Sequence, residues 1–254
     1  LELRFNPVAL ARAQSFPLWK VVEWVIAAVD EAQREANTRA CLILQIGREE
    51  SLKIANEIVD LAIAYQGPLL RGIDLAGDEM SYPPQRFEAA FRRARQAGIR
   101  ITVHAGEAVG SDSVRGAVEI LGAERVGHGI QSVENSEVVQ MLYEKQITLE
   151  ICPTSNLQTG VVRGVSLHPL ADIFRLRLRA TINTDDPSVS ATTLTNEYVV
   201  AMTAMGLQKA HIFQALRNAI DGAFIPEAER HTLKARFREL LTPYTGAVQI
   251  LDSM

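Results

Sequence analysis

Short runs rich in β-branched and apolar residues recur along this chain at steps of about 25 to 35 residues, and a helical pattern follows each one. That alternation leaves few folds open. The runs are LELRFNP (Leu1 to Pro7), ACLILQI from Ala40, LLRGIDLAG from Leu69, RITVHAG from Arg100, RVGHGI from Arg125, TLEICP from Thr148 and RATINTDDP from Arg179. Between them, apolar residues fall at three- and four-residue spacing: Phe87, Phe91 and Ala94 make one stripe, and Val114, Ala117, Val118 and Leu121 another. Gly98 and Gly122 stand just past the last periodic residue of those stripes, where a left-handed cap costs least. Asp112 and Ser113 stand where an N-cap is wanted before Val114. After Asp186 the chain reads as helix: TLTNEYVVAMTAM, QKAHIFQALRNAI and EAERHTLKARFRELL, the basic residues of the last forming a solvated face.

Strand, helix, glycine, strand is the grammar of repeated βαβ units and a parallel sheet. No Pro/Gly/Ser-rich linker or charge run divides the sequence, so residues 1–254 are expected to form a single domain. About seven strands suit either an open doubly wound sheet or a TIM-type (β/α)8 barrel lacking one strand. The polar residues separate the two folds. From Leu69 onward the strand ends carry, in order, Asp-Glu, His-x-x-Glu, a lone His, Thr-Ser-Asn and Asp-Asp. A barrel gathers such ends around one mouth, whereas an open sheet spreads them along an edge, so the barrel is the better reading.

Composition narrows the function. With 26 basic and 30 acidic side chains among 254 residues, the mild acidic balance argues against binding to a nucleic-acid backbone. Any nucleotide-like partner is therefore expected to be small and held in a pocket. No apolar stretch approaches the roughly 20 residues of a membrane span, and the N-terminus lacks a signal-peptide layout, so a cytoplasmic location is expected. Cys41 and Cys152 are too far apart for a disulfide framework and lack the close Cys or His neighbours of a thiolate zinc site; they read as small buried hydrophobes.

His104 closes its strand while Ala105 and Gly106 turn the chain, so His104 and Glu107 are a strand-end imidazole and a carboxylate just beyond it. Such a pair suits a metal ligand and a proton shuttle, or else a hydrogen-bonded core histidine and a solvated loop glutamate. His128 lies between Gly127 and Gly129, which permit close approach of a backbone or ligand. Asp185 and Asp186 are adjacent; two carboxylates side by side near a buried site repel unless a cation compensates, although an exposed Asp-Asp-Pro turn also fits. Oxygen and nitrogen donors without thiolate suit catalytic zinc or a similar divalent ion, which lowers the pKa of water from about 15.7 to about 7 and favours hydrolysis.

Together, HAGE (His104 to Glu107), GHGI (Gly127 to Ile130), CPTSNLQTG (Cys152 to Gly160), NTDDP (Asn183 to Pro187), LAGDE (Leu75 to Glu79) and the opening LELRFNP resemble the adenosine deaminase family, in the family's order and from residue 1 to about residue 240. The resemblance implies a (β/α)8 barrel and zinc-dependent hydrolytic deamination of adenosine or 2′-deoxyadenosine, giving inosine-type products and ammonia. It implies His104 and Asp185 as zinc ligands. Glu107 would hand a proton to the purine ring nitrogen N1, and His128 would hold and polarise the attacking hydroxide. Asp186 would hydrogen-bond N7, and the Gly77 backbone N–H would contact N3. The HPL run from His168 to Leu170 and CPTSNLQTG look more like the adenosine-acting branch than the adenine-acting one. The Cys-x-x-Cys of the cytidine and tRNA-adenosine deaminases does not occur in this chain.

One departure stands out. The family's first barrel strand carries a His-x-His pair supplying two more zinc ligands, and the five histidines here, His104, His128, His168, His211 and His231, include no such pair. A catalytic zinc normally has three protein ligands. At least one βα unit, on the order of 30 residues, is expected to be absent before Leu1; the sequence leaves open whether it is omitted here, removed by proteolysis, supplied by another chain or lost in a truncated protein, and the starting Leu favours omission. The alternatives are an adenine or other 6-aminopurine deaminase, and a truncated, inactive purine-binding protein. A third, a metal-dependent hydrolase of cyclic amides or phosphoesters, is disfavoured because no strand-end Lys is present to bridge two metals. The sequence leaves the oligomeric state open.

Overall fold

The computed structural model describes residues 1–244. Seven strands are present among them: β1 (Glu2–Phe5), β2 (Cys41–Gly47), β3 (Leu70–Ala76), β4 (Arg100–Ala105), β5 (Arg125–His128), β6 (Thr148–Ile151) and β7 (Arg179–Ile182). Each falls inside the run expected to form it, except that β2 extends one residue further, to Gly47. The residues group into two compact units, Leu1–His104 with Arg115–Glu124, and Ala105–Val114 with the residues from Arg125 onward.

In the first unit β1, β2, β3 and β4 pair in parallel and in chain order. β2 is buried at every position but Gln45, as a parallel strand covered on both faces should be, and this is why CLILQIG is written as an almost unbroken apolar run. Asn6 ends β1 and caps α1 (Pro7–Gln14), its side chain accepting from Val8 N, with Pro7 in the first helical turn. α2 (Leu18–Glu35) and α3 (Leu52–Ala64) follow; Ala55, Ile58, Val59 and Ala62 of α3 form its buried stripe at helical spacing. The Phe87, Phe91 and Ala94 stripe is buried as expected on and just before α4 (Glu88–Gln96). Gly98 and Gly122 have φ of +80° and +73°, the left-handed ends expected of them. α5 (Ser111–Glu119), whose first residues belong to the second unit, begins three residues before Val114, so Asp112 and Ser113 lie inside its first turn, where Ser113 N donates to Gly110 O.

In the second unit β5, β6 and β7 are likewise parallel neighbours in chain order. The helices are α6 (Ser136–Glu144), α7 (Pro153–Gln158), α8 (Leu170–Arg175), α9 (Pro187–Ser190), α10 (Leu194–Thr203), α11 (Lys209–Gly222) and α12 (Glu227–Leu241). Polar groups anchor α11: Asn218 Nδ2 donates to Ala180 O of β7 at 2.9 Å, and Arg125 Nη1 donates to Gly222 O at 3.1 Å. The face of α12 read as solvated needs correction at one position. Arg230 donates to the carbonyls of Ile220, Asp221, Ala223 and Ile225, closing the C-terminal end of α11. Cys41 and Cys152 are buried free thiols. No helix among the described residues is long and apolar enough to cross a membrane.

Candidate active site

The second unit assembles its polar cluster where β5 ends. His128 (φ +59°) and Gly129 (φ +66°) are both left-handed, so the chain turns sharply out of the strand. Glycine suits position 129, because φ +66° is rarely adopted by residues with a side chain and a Cβ there would stand 2.7 Å from Leu149 Cδ2. Gly129 N donates to Ala105 O and Gln131 N to Gly106 O, both at 3.0 Å, which ties the turn to the loop after β4. Gln131 Nε2 adds a bond to Glu107 O at 2.6 Å. Two sequence-predicted residues are thereby brought together: His128, 2% exposed, places Nε2 3.3 Å from Glu107 Oε2.

Asn156, wholly buried in α7, joins them. Its Nδ2 donates to Glu107 Oε1 at 3.1 Å and lies 3.1 Å from His128 Nδ1. The preceding residue, Ser155, donates its hydroxyl to Asp185 Oδ2 at 2.7 Å. Asp185 itself is left-handed, φ +57°, just past β7. A non-glycine residue held in this region costs on the order of 1–3 kcal/mol, and here two of the sequence-predicted residues, His128 and Asp185, are so held. The turn that positions Ser155 and Asn156 is braced by Glu197, whose buried carboxylate accepts from Thr154 N at 3.0 Å. Asp186 is exposed and caps α9, its Oδ1 accepting from Val189 N at 3.3 Å.

The first unit holds His104 and Gly77. His104 Nδ1 lies 2.8 Å from Oδ2 of Asp74, a carboxylate fully buried on β3. Burial works to raise the Asp74 pKa, but the His104 imidazole and the Arg4 guanidinium prevail and hold it at about 2. A carboxylate on Nδ1 leaves the metal-binding lone pair of a neutral imidazole on Nε2. Arg48, fully buried, donates through Nη2 to His104 O at 2.9 Å and through Nη1 to Tyr82 O. Its burial lowers its own pKa, opposed chiefly by Glu79 and Asp74. Gly77 has φ +112°, and a Cβ there would stand 2.4 Å from Glu49 Oε1, which accepts from Asp78 N at 2.6 Å.

Asp74, Asn156, Ser155 and Arg48 were not among the sequence-predicted site residues. The signal for Asp74 was present, since an Asp inside the buried run LRGIDLA needs a partner of opposite character. Nothing local in CPTSN showed that its Asn would meet Glu107 and His128.

Parallel strands handing imidazole, carboxylate and amide groups to their C-terminal loops are the arrangement of a (β/α)-barrel enzyme, and the family match below makes it a hydrolase acting on C–N bonds. The chain belongs to the adenosine deaminase family, whose model matches residues 1–240. An adenosine deaminase of Yersinia pseudotuberculosis is 42% identical over 92% of this chain and 70% of its own length. Among solved structures, an adenine deaminase from Arthrobacter aurescens superposes with TM-score 0.88 at 27% identity, over 95% of this chain and 73% of its own. An amidohydrolase from Burkholderia ambifaria with bound Zn gives TM-score 0.88 at 26% identity, covering 100% of this chain and 70% of its own. An Arabidopsis protein complexed with IMP gives TM-score 0.84 at 28% identity, over 96% of this chain and 72% of its own.

Proposed function

We propose that this protein is a zinc-dependent deaminase of 6-aminopurine nucleosides, taking adenosine or 2′-deoxyadenosine and water to inosine or 2′-deoxyinosine and ammonia, and that the chain acts as one catalytic domain. The observation that carries this reading is the Glu107–His128–Asn156 cluster at the strand ends of the second unit, its imidazole and amide buried and its carboxylate half-buried. Displacing ammonia from an aromatic amidine carbon needs a ring proton donor and a group that holds the nucleophile. In this reading Glu107 protonates N1, and His128 holds the incoming hydroxide through its ring N–H. Asp186 takes N7, its carboxylate steadied by Val189 N, and the Gly77 N–H takes N3.

The donor chemistry fits zinc: the Asp74 carboxylate on Nδ1 prepares His104 for a metal at Nε2, and the Ser155 hydroxyl orients the Asp185 carboxylate. His104 and Asp185 are the proposed ligands in these 254 residues, and two further imidazoles are proposed to come from outside them. When bound, zinc supplies the acidity that makes water a nucleophile near pH 7.

The neighbours named for adenine deamination and for IMP binding make the substrate the point to test. The complete protein, loaded with zinc, is given adenosine, 2′-deoxyadenosine, adenine and AMP, and ammonia release is followed. The nucleosides are expected to turn over, with Glu107→Gln lowering kcat by roughly 10²- to 10⁴-fold. Turnover of adenine alone, or of AMP alone, would move the protein to another branch. No turnover, with purine still bound, would leave an inactive purine-binding protein.

A further inference from the structure

One buried imidazole of the second unit has no part in this chemistry. We propose that His168 is a positioning residue which, through Asn156, fixes the tautomer of His128, so that His128 acts on the nucleophile as a hydrogen-bond donor. The catalytic meaning of this arrangement rests on the function proposed above; the arrangement itself rests on the hydrogen bonds alone.

The polarity can be followed from its one unambiguous end. The main-chain N–H of Leu170 can only donate, and it lies 3.1 Å from His168 Nδ1, so Nδ1 accepts. Burial lowers the pKa of His168 to about 4, so near neutral pH the ring is neutral and its single proton is on Nε2. Nε2 lies 3.3 Å from Asn156 Oδ1 and donates to it. With Oδ1 committed, the amide nitrogen turns to the other side, 3.1 Å from both Glu107 Oε1 and His128 Nδ1. An amide NH2 can only donate, so His128 Nδ1 accepts, and the proton of neutral His128 is on Nε2, facing Glu107 Oε2 at 3.3 Å. The opposite amide orientation would set Oδ1 against the Glu107 carboxylate and NH2 against the His168 N–H, a repulsion at both ends.

Three side chains thus carry a fixed direction from a main-chain N–H to the reacting groups. A His128 that took a second proton would point Nδ1–H at the Asn156 NH2, donor against donor. The arrangement therefore favours His128 as the group that holds hydroxide over His128 as the base that makes it.

The test labels the histidines of the zinc-loaded complete protein with ¹⁵N and reads each ring's tautomer from long-range ¹⁵N–¹H correlations, without substrate. His128 and His168 are expected as Nε2–H forms. His168→Phe removes the donor; it is expected to bring Nδ1–H character to His128 and to lower kcat roughly 10- to 100-fold with KM changed far less. His168→Gln offers the same N–H and the same acceptor, and is expected to keep the His128 tautomer and most of kcat. A wild-type His128 protonated on Nδ1, or a folded His168→Phe with unchanged tautomer and kcat, would overturn the proposal. Should His168→Phe not fold, the wild-type spectrum and His168→Gln decide. A protein that shows the Nε2–H form at His128 but deaminates no purine would uphold the arrangement and refute the function.

Discussion

At the scale of single residues, burial and partner decide what each imidazole can do. His168 has its pKa lowered by burial to about 4, from a usual 6.5. Between those values the unfolded chain binds a proton that the folded one refuses, so stability is highest above pH 6.5, falls as the pH drops, and levels off below about 4. A gap of that size corresponds to about 3 kcal/mol. Urea denaturation of wild type and His168→Gln at pH 7 and pH 4 should show the wild type losing about 3 kcal/mol more than the variant; equal losses would mean that His168 titrates normally in the fold. His104, Glu107, His128 and Asp185 were open to naming from sequence because each lies at, or within three residues of, the end of a recognisable strand. The partners of Asp74 and Asn156 were not, since they depend on which strands and loops become neighbours, and periodicity does not carry that information.

At the scale of elements, the strands were the most legible feature and the caps the least. A parallel strand buried on both faces announces itself as an apolar run, as at Cys41–Gly47. A helix start depends on one or two local bonds, and α5 opens before both residues expected to cap it, with Ser113 N donating to Gly110 O inside its first turn. Arg230 makes the same point at a C-terminus. A basic residue on an amphipathic helix reads as solvated, yet its side chain is only 12% exposed and meets four carbonyls at and beyond the end of α11. Arg230→Met should keep the packing of the stem, lose these charge-assisted bonds and cost about 2 kcal/mol in urea denaturation. A cost below about 0.5 kcal/mol, the range of ordinary surface substitutions, would show that water satisfies those carbonyls equally well.

At the scale of the molecule, the alternation of strand and helix with chemistry at the strand ends led to the barrel class from sequence, and the family model and solved neighbours agree with it. What alternation leaves unwritten is the substrate, because adenosine, adenine and AMP share the 6-aminopurine ring that the proposed residues would contact. The chemistry common to all three is the proposed ligation of zinc by His104 and Asp185. Anomalous diffraction at the zinc edge from crystals of the complete, zinc-loaded protein tests it most directly. A single peak is expected about 2.0–2.2 Å from His104 Nε2 and from an Asp185 carboxylate oxygen. Zinc bound elsewhere, with neither residue in its coordination sphere, would contradict it.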